Sequence, residues 1–484
     1  MVKKDKKLTV KEKTKNFILD SPKAITEEDS KRIQELKHDS RRHSIKEGIF
    51  ASAKTSFGDY YISPLAIAIN MSNPMIALLG SISGLLGPLS QTFSSRLIEK
   101  YPRKKIVRKA VFLESLVWIL FATIAILFYK ELITTTLPIL LLITFSIYVI
   151  ISNIATPAWF SWMGDIVDEK YRGRWFSKRT IITGFVSLIL TILAAFFLDY
   201  LKKNNWLMFG FITLFSLAFL SRLLSWNVFK RQYEPKIKLK KGYYFSFPKF
   251  LLKAPKNNFG KLSIFRAILS FSIAISGPLL AIYLLRYLNF NYPTYIIVIL
   301  AGTLFSILVL NLWGRFADKY GNYRVMYITS FIIPIIPILW ILNPSPIYLI
   351  LVPSFLGGVA WAGFNLATGN FIYDNVSKEK RGLAISYYNL LNGIGIFLGA
   401  SLSAILIKFL TISFIEPLFA IFILSTIARI ITIIWWIPKL KEVKEKEKFN
   451  SSRALKNLIL KEAKPIFLEE AHEIMEIKNY LREK

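Results

Sequence analysis

A short charged pattern that occurs twice limits the folds open to this chain. Asp165-Ile-Val167-Asp-Glu-Lys-Tyr-Arg172-Gly173 returns as Asp374-Asn-Val376-Ser-Lys-Glu-Lys-Arg381-Gly382, in both cases D-x-V-x4-R-G. Upstream, Ser95-Arg-Leu-Ile-Glu99-Lys100-Tyr101-Pro102 is answered by Gly314-Arg-Phe-Ala-Asp318-Lys319-Tyr320-Gly321. A weaker echo pairs Ser63-Pro64 with Gly277-Pro278. The pairs keep their order and stand about 210 residues apart, so the chain reads as two copies of one unit.

The medium of both units follows from how apolar residues are laid out. They make up 53% of the 484 residues and gather in unbroken runs of about 20, the length that crosses a bilayer as a helix. Net charge is +32, which in a soluble protein would suggest nucleic acid. Here Lys and Arg collect in loops and tails, the distribution of a membrane protein, so no nucleic-acid partner is expected. The chain has no cysteine, which rules out disulfides and thiolate metal sites. Its three histidines, His38, His43 and His472, fall in polar tails. No phosphate-binding GxxxxGK[ST] loop and no deep nucleophile–base or metal constellation occurs, so neither an ATP-driven pump nor an enzyme is expected. No metal and no cofactor are expected either.

The runs predict an all-α integral membrane protein of twelve transmembrane helices in two pseudo-symmetric six-helix bundles. The first six are Gly48–Asn70, a second ending near Ile98, Lys109–Phe128, Leu137–Met163, Ile181–Tyr200 and Leu207–Val228. The second six are Leu262–Tyr287, Tyr295–Trp313, Val325–Leu342, Tyr348–Ile372, Leu383–Leu410 and Ile412–Ile437. Residues 1–46 read as a solvated arm with a short helix around Glu27–Lys37. Bundles at 47–228 and 262–437 flank a basic central loop at 229–261. The tail 438–484 carries amphipathic segments at Leu455–Leu460 and Ile466–Ile477. Gly80, Gly84 and Gly87 lie at the spacing that lets helices pack closely. Lys and Arg crowd alternate loops, from Arg103, Lys104 and Lys105 to Lys380 and Arg381, whereas Lys130, Lys202 and Lys203 are the main cations of the opposite loops. Both termini are therefore expected in the cytoplasm of a multi-pass plasma-membrane protein.

Two six-helix halves, a long basic central loop and G-x-x-x-D-K-x-G at Gly314–Gly321 resemble the major facilitator superfamily over residues 47–437. The resemblance implies a monomeric rocker-switch carrier whose small-molecule substrate binds between the halves near the midplane of the bilayer. It places a cytoplasmic gate at Glu99, Lys100, Asp165, Arg172, Gly314, Asp318, Lys319, Gly321, Asp374 and Arg381. Gly314 is expected to let two helix ends approach, Asp318 to accept from a helix N-terminus, and Arg381 to pair with a carboxylate. Ser95, Glu99 and Pro102 depart from the Gly, Asp and Gly of the family pattern.

Polar residues deep in the runs are the candidates for the solute path. Asp59 lies roughly 18 Å along a helix from Glu47, near the midplane of a core about 30 Å thick. Such a carboxylate faces a cavity, pairs, or takes a proton. Lys54 lies about 140° round an ideal helix from Asp59, so the two are not expected to share a face. Lys54 is expected to snorkel to the inner interface. Asn153, Trp162, Trp361, Asn365, Asn389 and Asn392 complete the candidate cavity, while Glu114 is placed toward the cytoplasmic end of its helix. Two readings stay open. One is a secondary carrier, with proton coupling through Asp59. The other is a non-transporting sensor or assembly factor on the same scaffold.

Overall fold

The computed structural model describes residues 27–168, 172–235, 246–376, 381–411 and 415–442, which are helical with no strand among them. The tail segments Leu455–Leu460 and Ile466–Ile477, together with His472 and Lys380, lie outside the described residues. The first half contains α1 (Glu27–Phe57), α2 (Ile62–Ala68), α3 (Asn73–Lys100), α4 (Arg103–Tyr129), α5 (Leu137–Ile166), α6 (Arg172–Lys203) and α7 (Leu207–Phe229). A short α8 (Phe247–Lys253) follows in the central connection.

The second half opens with α9 (Asn258–Ser276), α10 (Leu279–Ile282) and a π-turn at Tyr283–Tyr287. It continues with α11 (Tyr292–Tyr320), α12 (Asn322–Ile332), α13 (Ile336–Leu342), α14 (Pro346–Leu349) and a π-turn at Ile350–Ser354. It closes with α15 (Phe355–Asn375), α16 (Arg381–Phe409) and α17 (Pro417–Trp436). Among the described residues, 11 helices are long and apolar enough to cross a membrane.

The expected span at Gly48–Asn70 is built differently from the others. Its helix starts in the polar arm at Glu27 and runs without a break to Phe57. The arm is thus not merely solvated: Ser40, Ser44 and Glu47 are buried. Ser40 Oγ accepts from the backbone N–H of Tyr233 at 2.7 Å, and the Arg41 guanidinium donates to the Ile166 carbonyl at 3.3 Å. At Gly58 the helix gives way to a 3-10 turn, Asp59–Tyr61, before α2. The indole of Trp118 lies where a side chain at 58 would be, 2.4 Å from an ideal Cβ. Only glycine admits the ring there.

Prolines stand at two of the interruptions in the second half. Pro334 and Pro337 stand at the gap between α12 and α13, and Pro353 lies within the π-turn before α15. Each lacks the N–H that would continue the helical ladder.

Within the first half, α4 packs between α5 and α7, α3 lies on α5, and α1 lies on α6 and α7. In the second half α9 packs on α16 and α17, and α15 on α11 and α12. The halves meet along two reciprocal helix pairs, α3 with α16 and α6 with α11. Each pair joins the second span of one half to the fifth span of the other, as a pseudo-twofold arrangement requires. Backbones approach closely along the first seam: a Cβ on Gly393 would sit 2.3 Å from the Gly84 carbonyl. Gly80 and Gly84, expected from spacing to face a neighbour, bear on Pro278 and Ile396.

Candidate solute path and gate

Buried ionic groups from four helices of the first half form a chain of alternating sign. Arg179 donates to Glu47 at 3.0 Å, and Glu47 lies 3.6 Å from Arg222. Arg222 holds Glu114 through Nε and Nη2 at 2.9 and 2.6 Å. Glu114 stands 3.3 Å from Lys54, and Lys54 donates to Asp59 at 3.0 Å and to the Tyr148 hydroxyl at 3.1 Å. Tyr148 closes the chain by donating to the other Asp59 oxygen. Three cations balance three carboxylates, which is how buried charge is tolerated in a low-dielectric interior. A cavity of about 200 Å³ reaches the Arg179 end, lined in part by Glu47, Arg222, Thr156 and Trp159. At the other end, Asp59 is the most open member, with its side chain 31% exposed.

Three expectations change here. Lys54 and Asp59 do pair, because the break at Gly58 removes the ideal helix on which their angular separation was reckoned. Lys54 does not snorkel outward: its side chain is 9% exposed and sits between two carboxylates. Glu114 is not a peripheral acid. Its helix starts at Arg103 rather than Lys109, and it is fully buried.

The other proposed path residues are dispersed. Asn153 accepts from Gln91 at 2.9 Å, and Gln91 meets Asn389 across the seam at 3.5 Å. Asn392 accepts from Ser270 within the second half. Trp361 is partly buried, and Asn365, one turn further along the same face, is exposed. Trp162 departs from expectation. It is fully enclosed, donating to the Tyr233 carbonyl at 2.8 Å beside Phe229, so it anchors the central segment and lines no path.

The gate residues lie at the ends of the helices that carry the basic loops. Asp165 is bound by buried Arg103 at 2.7 Å, inside its own half. Asp374 accepts from Asn322 at 3.0 Å. Lys100 and Asp318 are exposed, and Lys319 lies 5.4 Å from the Tyr320 ring centroid. Gly321 ends α11 at φ 99°, a left-handed conformation that suits glycine. Gly314 supports no close approach, since a Cβ there would meet nothing within 4 Å. The side chains of Glu99, Arg172 and Arg381 are outside the described residues.

On the opposite face the halves are clasped together. Arg286 of the π-turn donates to the Asn73 side chain and, at 2.9 Å, to the Met71 carbonyl. Tyr292 receives the edge of Phe211 and lies 5.4 Å from the Lys202 ammonium.

Comparison with known proteins now bears on this arrangement. No curated protein matches the sequence. The Major Facilitator Superfamily pattern matches twice, over residues 49–258 and 262–476. The chain belongs to the major facilitator superfamily. Solved transporter structures share the fold at low identity. A mutant of the nucleoside transporter NupG has a TM-score of 0.62 at 15% identity, covering 84% of this chain and 100% of its own. A bacterial homologue of the iron transporter ferroportin, in its inward-facing state, has a TM-score of 0.62 at 16% identity, covering 83% of this chain and 98% of its own. An auto-inhibited POT family peptide transporter has a TM-score of 0.62 at 12% identity, covering 84% of this chain and 99% of its own.

Several charged residues inside the spans are not among the candidates read from the sequence, notably Glu114, Arg222, Arg266, Arg286 and Arg429. Arg429 is buried and donates to the Ile333 carbonyl, at the gap between α12 and α13, and to Ser276. A charged residue inside an apolar run was the available signal, since such residues are costly in a membrane.

Proposed function

We propose that the protein is a secondary carrier, moving a small solute across the plasma membrane by rocking its two halves about a central path. The observation that carries the reading is the seam. Two halves meet along reciprocal helix pairs and are clasped by Arg286 on the face away from the basic loops. Such a joint can part at one face while pivoting at the other. The basic face is then cytoplasmic, with both termini on that side and the Arg286 clasp closing the outer mouth. The carrier acts as a monomer.

Proton coupling through Asp59 follows from its place at the end of the ionic chain. Protonating Glu114 would leave Arg222 and Lys54 short of a partner in a dry interior. Neutralising Asp59 leaves Lys54 still paired with Glu114, so no buried cation loses its last carboxylate. Asp59 is also the member nearest solvent, where a proton can arrive.

Reconstitution into proteoliposomes, with a panel of solutes and with or without a pH gradient, tests the reading. Uptake of at least one solute, accelerated by a gradient of one sign, is the expected result. If correctly inserted protein moves no solute of the panel in either direction, the carrier reading fails.

A further inference from the structure

The first half answers its buried cations with carboxylates, whereas the second half carries a half-buried cation, Arg266, with neither a carboxylate nor a hydrogen-bond acceptor among the described residues. Arg266 lies roughly 12 Å along α9 from Asn258, a residue fixed level with the end of α15 by a 3.1 Å bond to Asn375. Its guanidinium carbon stands 5.4 Å from the ring centroids of both Trp361 and Phe364. Yet the guanidinium makes no ion pair and donates no hydrogen bond among the described residues, and its Nη1 is shielded from solvent without an acceptor. Aromatic faces favour a cation but cannot accept its five N–H groups in the manner of a carboxylate. The contrast with Arg222, which binds two carboxylates, and Arg429, which binds a carbonyl and a hydroxyl, is direct.

The surroundings show where a partner for it could come from. Trp361 begins a face of α15 that continues through exposed Asn365 to Gly369, where a Cβ would meet nothing within 4 Å. That face is uncovered at Asn365, one turn from the ring that flanks the guanidinium. The amides of Asn389, Gln91 and Asn153 cross the seam from α16 to α5. Aromatic walls and a guanidinium with no acid within ion-pair distance among the described residues thus stand one helical turn from an exposed amide, Asn365.

We propose that Arg266 recognises the charged end of a small organic anion whose planar or apolar body packs on Trp361 and Phe364. A carboxylate or phosphate would supply the two parallel acceptors that a guanidinium fork takes. The proposal rests on the carrier reading and names the substrate class for it. It also fits the coupling acid: a proton on Asp59 would travel with one negative charge bound at Arg266.

The experiment uses the purified full chain, with benzoate and phenyl phosphate as anionic probes. Benzamide and benzylamine serve as neutral and cationic matches. Binding is read from tryptophan fluorescence and from the shift in thermal unfolding. At least one anion should bind at least about tenfold more tightly than benzamide, as a charge-assisted hydrogen bond implies. Arg266→Gln should abolish that preference without lowering the unligated melting temperature, because the half-buried guanidinium makes no ion pair or hydrogen bond that the fold would lose. Arg266→Lys should restore part of the preference. An Arg266→Gln protein that melts earlier yet keeps the preference would assign Arg266 to structure and overturn the proposal. So would equal binding of benzoate, phenyl phosphate and benzamide by the wild type. Uptake of a neutral solute that is indifferent to Arg266→Gln would overturn it too, while leaving the carrier reading intact.

Discussion

Arg222 holds Glu114 through two of its nitrogens, and on its other side it stands 3.6 Å from Glu47. One guanidinium on α7 thus answers carboxylates from α1 and α4, binding three helices of the first half. Ser225, one turn further along α7, assists by donating to Glu47 at 2.9 Å.

Arg222→Gln should therefore be among the most destabilising single changes in the first half. It leaves two buried carboxylates facing each other, and breaking a buried pair in this way costs about 3–5 kcal/mol. Thermal unfolding in detergent is the measurement. A melting temperature within a degree of wild type would mean that water reaches these groups.

Gly58→Ala should be nearly as disruptive for a steric reason. The added methyl would fall 2.4 Å from the Trp118 ring, which is fully buried and packed against Phe121, Tyr148 and Phe215. Overpacking of this kind costs about 1–3 kcal/mol. Trp118→Phe should recover part of the loss by freeing the space, and a double-mutant cycle on unfolding midpoints measures the coupling. Simple additivity of the two changes would show that Gly58 serves the bend alone.

Much of the architecture is legible in the sequence. Membrane spans write themselves as apolar runs because lipid tolerates little else, and duplicated motifs expose duplicated bundles. The ionic chain was less legible. The angular separation of Lys54 and Asp59 holds only on an unbroken helix, whereas the helix breaks at Gly58, which lies against Trp118 sixty residues along the chain. Glu114 was misplaced because the run was started at Lys109, while α4 begins at buried Arg103, held by Asp165. Trp162 looked like a path residue because an aromatic at depth has the same sequence signature whether it lines a path or anchors a neighbouring segment.

Arg286→Ala should loosen the outer clasp. Its bonds to Asn73 and the Met71 carbonyl are charge-assisted, and one such bond contributes about 1.5–3 kcal/mol. That is enough to move a balanced two-state equilibrium by a factor of about ten or more. The chain lacks cysteine, so Met71→Cys provides a single buried reporter behind the clasp. A membrane-impermeant maleimide added outside should label it faster when Arg286→Ala is also present. Unchanged labelling would assign the closure to the Tyr292 contacts instead.

Asp59→Asn separates coupling from fold. The amide keeps the shape of the side chain and can still accept from Lys54, while Glu114 remains 3.3 Å from the same ammonium. No buried cation is orphaned, so the loss of stability should be smaller than that of Arg222→Gln. Under the proposed coupling, the change removes the group that loads a proton at one face and releases it at the other. Solute exchange across proteoliposomes should persist, since the halves can still rock with substrate bound. Accumulation driven by a pH gradient should fall to the level seen without one. Undiminished accumulation in a well-inserted Asp59→Asn protein would remove Asp59 from coupling and leave it as the terminal structural partner of Lys54 and Tyr148.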